Sequence, residues 1–316
     1  MKTERMLAIR DEFGKELIEI GRDYPDVVVG TAELMHPTRC DGFARAYPER
    51  FFEVGIAEQS LFGTAAGLAS AGKTVIAASY ANFSCLRAGE QLRNDIAYTN
   101  FNVKVVALSC GVSFGEGGIS HQSYEDLAVM RAISNFVVLS PADGVAIRKA
   151  VRAAVETVGP VYIRGGRGEE YVVYEDECPF EIGKANVLRE GGDVAILATG
   201  CLVREALRTA ETLEREDGLS VRVADVHTIK PIDQAEVERA AQTKLIVTAE
   251  EHRVIGGLGG AVLEALAEVP HPPVYRIGFA DDYPPVGPKF ELREHLGLSA
   301  PSIVRTVRRA LGIQGA

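Results

Sequence analysis

Apolar side chains at Met6, Ile9, Phe13, Leu17 and Ile20 recur at helical intervals, which predicts a helix over residues 5–22. The pattern then shortens. Residues 26–30 (Asp-Val-Val-Val-Gly) predict a buried strand with a loop over 31–41 behind it, and 51–54 a second strand-like run. A turn containing Gly55 leads into a helix of small residues, 58–71. A β-branched run at 73–78, a helix of mixed polarity at 82–98 and a third buried strand at 104–109 follow. That strand ends in a glycine-rich loop, 111–121. Helix 124–132, strand 136–140, helix 144–156 and strand 160–164 complete a first unit.

Periodicity lapses and the chain turns acidic from 169. A second alternation follows: strand 193–198, helix 202–214, strand 220–225, helix 234–241, strand 244–250, helix 261–267 and strand 273–278. Buried strands alternating with helices imply mostly parallel sheets covered on both faces. The expected class is therefore α/β, as two doubly wound α/β domains. They are placed at residues 1–170 and 187–316, with an interdomain linker at 171–186. Ligands in such folds sit at the carboxyl ends of the strands, which directs attention to loops 31–41 and 111–121 and to the segment after Arg164.

Composition narrows the function classes. The chain has 316 residues, long enough for two domains with separate cores. A net charge of −10 argues against a nucleic-acid or anionic-membrane surface. No apolar run reaches the ~18 residues of a membrane span. The N-terminus leads into an amphipathic helix and not into a signal-peptide core. Five scattered cysteines without CxxC spacing imply reduced, mostly buried thiols in a cytoplasmic protein, with no zinc site. Arg305, Arg308 and Arg309 read as the solvated face of a last helix.

The local chemistry is suggestive in two places. Glu58 opens a helix, where a carboxylate is favoured by the dipole and the orphan amides, so the simplest role for it is a helix-start carboxylate. Loop 111–121 holds four glycines within eight residues, which permits close approach of the backbone to a ligand. The Gly-Gly-Leu-Gly-Gly run at 256–260 lacks the Lys-Ser/Thr of a phosphate loop and reads as close packing of a helix on a sheet.

Four ordered segments carry a resemblance: 52–59 (Phe-Glu-Val-Gly-Ile-Ala-Glu-Gln), 115–122 (Gly-Glu-Gly-Gly-Ile-Ser-His-Gln), 227–233 (His-Thr-Ile-Lys-Pro-Ile-Asp) and 250–260 (Glu-Glu-His-Arg-Val-Ile-Gly-Gly-Leu-Gly-Gly). Together they resemble the thiamine-diphosphate-dependent enzymes of the transketolase superfamily, in their last two domains: the pyrimidine-binding domain and the C-terminal domain. The resemblance covers nearly the whole chain. It implies that Glu58 is the carboxylate set against the aminopyrimidine ring, promoting loss of the thiazolium proton. It implies that Tyr80 and Phe83 flank that ring and that His121 faces the reacting carbon and substrate oxygens. Ser120 and Gln122 are less defined neighbours. Arg10 and Arg164 fit the family's sugar-phosphate clamp, since guanidinium forks suit such anions.

The family holds the diphosphate through a divalent ion such as Mg2+, on a Gly-Asp-Gly motif in a separate domain, and no Gly-Asp-Gly occurs here. The resemblance thus implies the C-terminal subunit of a split enzyme, silent alone. Its N-terminal partner would supply the metal site, and this chain would pair with itself inside a heterotetramer.

Four positions depart from the family. Gly117 stands where an Asp usually reads the donor hydroxyl, Ser109 where a His commonly contacts donor oxygens, and Pro37 where a Ser joins the clamp. Glu33 replaces the Asp that opens that segment. A site that loses a hydrogen-bonding partner no longer selects for that hydroxyl. The expected activity is ketol transfer from a ketose or ketose phosphate to an aldehyde acceptor. A 2-oxoacid decarboxylating or acyl-transferring subunit, and a non-catalytic scaffold, remain as alternatives.

Overall fold

The structure, a computed structural model, describes residues 5–175 and 178–313. A seven-stranded sheet forms the first half. Its spatial order is Thr228–Lys230, Val137–Leu139, Val161–Arg164, Val103–Leu108, Thr74–Tyr80, Val27–Thr31, Phe51–Glu53. The last six of these strands run parallel. Val-, Ile- and Ala-rich strands such as Val103–Leu108 are buried on both faces, as parallel strands under two helical layers must be. A five-stranded sheet forms the second half, in the order Val274–Phe279, Leu245–Arg253, Val194–Ala198, Val221–Asp225, Asn186–Arg189. Only its Asn186–Arg189 edge is antiparallel. Both halves are thus doubly wound α/β, the class expected.

Several elements differ from the sequence expectation. The first helix starts only at Ile9. Met6–Ala8 is extended and pairs antiparallel with Glu169–Tyr171, so part of the aperiodic acidic stretch is strand. Residues 82–98 do not form one regular helix. They wind as π-turns at Phe83–Arg87 and Leu92–Ala97 around one α-turn at Gly89–Gln91, and π-bulges favour functional sites. A short helix, Asp41–Ala46, closes the first candidate loop.

The larger surprise is Thr228–Lys230. It belongs in sequence to the second half but pairs with Val137–Leu139 at the edge of the first sheet. Lys230 Nζ donates to the carbonyls of Arg131 and Ile133 at 3.1 and 2.6 Å, fixing the crossing. The cores are not separate either. One apolar cluster joins Phe136, Val138 and Tyr162 to Ala224, Val226 and Ile229. All five cysteines are free thiols, four of them buried. Among the described residues no helix is long and apolar enough to cross a membrane.

Candidate active site

The parallel strands of the first sheet bring their carboxyl-end loops to one edge. Glu53 organises the near side. One carboxylate oxygen, Oε1, accepts from the backbone amides of Glu33, Val54 and Gly55 at 2.6, 2.9 and 3.2 Å. That ties the ends of two neighbouring strands into a turn, and the chain enters the helix Glu58–Ser70 directly afterwards. Glu58, its first residue, is 2% exposed. Its Oε2 accepts from Arg87 Nη1 at 3.5 Å, and the Arg87 guanidinium lies 5.7 Å from the Phe83 ring centroid.

Tyr80 ends the next strand and Phe83 opens the π-wound stretch. Their rings sit 5.6 Å apart. His121 meets both edge-on, at 5.8 Å from Tyr80 and 5.5 Å from Phe83, and Phe114 at 5.4 Å. The structure therefore gathers Tyr80, Phe83 and His121 into one aromatic cluster, and Arg87 links that cluster to Glu58. His121 Nδ1 is 2.8 Å from Ser120 Oγ, and the Asn82 amide donates to the Ser120 carbonyl. A side chain at 117 has no room: a Cβ there would lie 2.8 Å from His121 Cβ and 2.9 Å from the Phe114 ring.

Beside the cluster lies a cationic group. Arg167 donates to the Tyr80 hydroxyl, and its guanidinium stands 3.8 Å over the Phe114 ring. Arg39 Nε donates to Asp11 Oδ1 at 2.6 Å, and Arg10 Nε lies 3.7 Å from the same oxygen. Partial burial, then the charges of Arg167 and Arg39, hold the Arg10 guanidinium below its ordinary pKa. Arg10 and Arg39 thus share one carboxylate, with Arg167 close enough to be felt.

Ser109 is fully buried with φ near 60°, and its hydroxyl has no hydrogen-bond partner among the described residues. Glu33 and Arg39 also occupy the left-handed region, at 56° and 62°. Non-glycine residues held there cost about 1–3 kcal/mol each and gather at functional sites.

Arg164 departs from its expected place in the anion clamp. It is 3% exposed, and its Nε and Nη2 donate to the two carboxylate oxygens of Asp126 at 2.8 and 3.2 Å. Nη2 also donates to the Glu251 carbonyl at 2.8 Å. A guanidinium engaged in this way in the interior offers no open fork to a substrate. Arg167, three residues on, reaches the cluster instead. Sequence reasoning missed it along with Arg39, Phe114 and Arg87. The Gly-Gly pair before Arg167 was the available signal, since it lets the chain turn out of the sheet. Among the described residues no group of three His, Cys, Asp or Glu side chains could hold a metal ion.

Residues 5–170 match the pyrimidine-binding domain of transketolase, and residues 183–303 match the transketolase C-terminal domain. One subunit of the apulose-4-phosphate transketolase of Phocaeicola vulgatus is 39% identical, over 96% of this chain and 97% of its own length. A 6-deoxy-6-sulfo-D-fructose transketolase subunit of Clostridium sp. strain MSTE9 is also 39% identical, over 94% of this chain and 92% of its own. A solved split-gene transketolase, described as an inactive beta4 tetramer, is 44% identical with a TM-score of 0.90, covering 98% of this chain and 99% of that one. With two domain matches in order and relatives alike over nearly their full length, this chain belongs to the transketolase family, whose enzymes depend on thiamine diphosphate.

Proposed function

We propose that this chain is the C-terminal subunit of a split transketolase, transferring a two-carbon ketol unit from an anionic ketose donor to an aldehyde acceptor. It works only with an N-terminal partner subunit that holds the cofactor's diphosphate and a divalent ion such as Mg2+. The observation that carries this reading is the buried Glu58 carboxylate, linked through Arg87 to the aromatic cluster that holds His121.

The residues fit one half of a thiamine diphosphate site. Glu58 is a buried acceptor at a helix start and can hold a proton on a ring nitrogen facing it. Tyr80 and Phe83 offer aromatic faces to a flat ring carrying partial positive charge. When bound, the cofactor supplies a carbon nucleophile for the donor carbonyl. His121, steadied at Nδ1 by Ser120, can pass protons to and from substrate oxygens at the open edge of the cluster. Arg10, Arg39 and Arg167 present guanidinium forks to an anionic group at the far end of the donor. Relatives named for a sugar phosphate and a sulfonated sugar support a charged donor. The beta4 relative called inactive supports dependence on a partner, and we place pairs of this chain inside a heterotetramer with it.

The test is reconstitution with the candidate partner, thiamine diphosphate and Mg2+, following ketol transfer from ketose phosphates. Activity is expected only from the pair, and Glu58→Gln should lower it by about a hundredfold or more. Full activity in that variant, turnover by this chain alone, or carbon dioxide release from pyruvate in place of ketol transfer would sink the proposal.

A further inference from the structure

The second half of the chain touches the loop that carries His121. Segment 280–288 lies between the strand Val274–Phe279 and the helix Lys289–His295. It leaves its own sheet and lies against loop 111–122. Gly287 N donates to the Gly115 carbonyl at 3.4 Å. The approach is close, because a Cβ on Gly115 would fall 2.1 Å from the Gly287 carbonyl oxygen.

Gln122 joins the two segments. It is 2% exposed, and both ends of its amide are engaged. Nε2 donates to the Gly115 carbonyl at 2.9 Å and to the Pro285 carbonyl at 3.4 Å. Oε1 accepts from the Tyr124 hydroxyl. The Tyr124 ring packs edge-on against Phe279 at 5.7 Å and Tyr283 at 6.2 Å, both from the second half. A buried amide satisfied on both ends rigidifies what it joins. What it joins here is the turn 115–121, which places the neighbouring imidazole.

We propose that Gln122 is a positioning residue for His121, and that through Pro285 and Tyr124 the second domain's segment 280–288 sets where that imidazole sits. The inference rests on the reading that His121 acts on substrate. It gives the C-terminal domain a part in catalysis although it contributes no residue to the cluster. Displacement of a reacting group by about 1 Å can cost a hundredfold in rate, so even a modest slackening of the turn is measurable.

Two variants test it. Gln122→Met keeps the volume and removes both polar ends, and Tyr283→Ala cuts an exposed ring from the second-domain side without touching the cluster. In the full chain alone, amide hydrogen exchange over residues 115–121 should quicken in both variants. In the reconstituted pair, kcat should fall about ten- to a hundredfold, with cofactor affinity unchanged. In a His121→Ala background Gln122→Met should add little, since residues acting as a unit are not additive. Unchanged exchange in both variants, or a kcat loss that adds in full to that of His121→Ala, overturns the proposal. An inactive wild-type pair would instead sink the transketolase reading, and the exchange comparison would still decide whether the second domain holds the turn.

Discussion

Gly117 shows how one missing side chain reshapes a site. The family's usual Asp cannot stand there without moving His121 or Phe114. The space has gone to an aromatic ring that carries Arg167 on its face. On the proposed reading, recognition should rest on the anionic end of the donor and not on that hydroxyl, and this sets the prediction at residue scale. Arg167→Ala in the reconstituted enzyme should raise KM for an anionic ketose by about ten- to a hundredfold, the worth of one or two charge-assisted hydrogen bonds. KM for an uncharged ketose should change little. Arg39→Ala, which leaves Tyr80 and Phe114 untouched, should show the same selectivity; equal losses on both donors in both variants would rule out the anion contact. The structure brings Tyr80, Phe83 and His121 together. Glu58 and His121 were legible as candidates in the sequence because each sits in an ordered segment, and Tyr80 and Phe83 through the family resemblance alone. Arg39 and Arg167 were not, because an arginine on a loop looks the same whether it faces solvent or a ligand. Arg164 and Arg167 differ in which of them meets Asp126, and that carboxylate comes from a separate helix.

At the scale of elements, the long strands and helices could be read because their apolar period is carried over many residues. The three- and four-residue strands could not. Met6–Ala8 continues the apolar spacing of the helix behind it, and only pairing with Glu169–Tyr171 makes it extended. Thr228–Lys230 takes its partner from the other sheet, which no local pattern announces. The Gly-Gly-Leu-Gly-Gly run was legible as packing, and its reason is now concrete. Glu250 accepts from the amides of Leu258 and Gly259 at 2.6 and 2.9 Å, at the start of the helix Leu258–Ala265. Burial, partly offset by those bonds, pushes its carboxyl up to about 7. A Cβ at Gly257 would fall 1.9 Å from the Glu250 oxygen. Gly257→Ala should therefore force the carboxylate off the helix start and cost about 1–3 kcal/mol. A lower denaturant midpoint at unchanged slope is the expected signature; a midpoint equal to wild type would mean that the turn relaxes freely.

The two halves share a sheet edge, an apolar cluster and a buried ionic network, so they are expected to unfold as one body. Arg164 of the first half bonds Asp126 and the Glu251 carbonyl. Arg293 of the second half bonds Glu251 at 2.7 Å and Glu170 at 2.7 and 2.8 Å. Removing one member of such a network leaves a buried charge without its partner, which costs about 3–5 kcal/mol. Arg164→Met is therefore expected to destabilise both halves together, unlike Arg167→Ala at the cluster. The cost should also depend on pH. Burial alone would raise the Asp126 carboxyl, but Arg164 outweighs it and holds the group below its ordinary value. In the wild type that pairing stabilises the fold above the ordinary carboxylate pKa, and the contribution is lost as pH falls through the depressed value. Without Arg164 burial dominates, the folded pKa moves above the unfolded one, and the variant loses stability as pH rises. The difference between wild type and Arg164→Met should accordingly be smallest below the depressed wild-type value and grow as pH rises through the ordinary carboxylate range. Denaturant unfolding followed by far-UV circular dichroism, with hydrogen exchange resolved over both halves, measures it. One transition common to both halves supports a single cooperative unit. Separate transitions would show instead that the shared edge and the ion pairs join two bodies that fold independently.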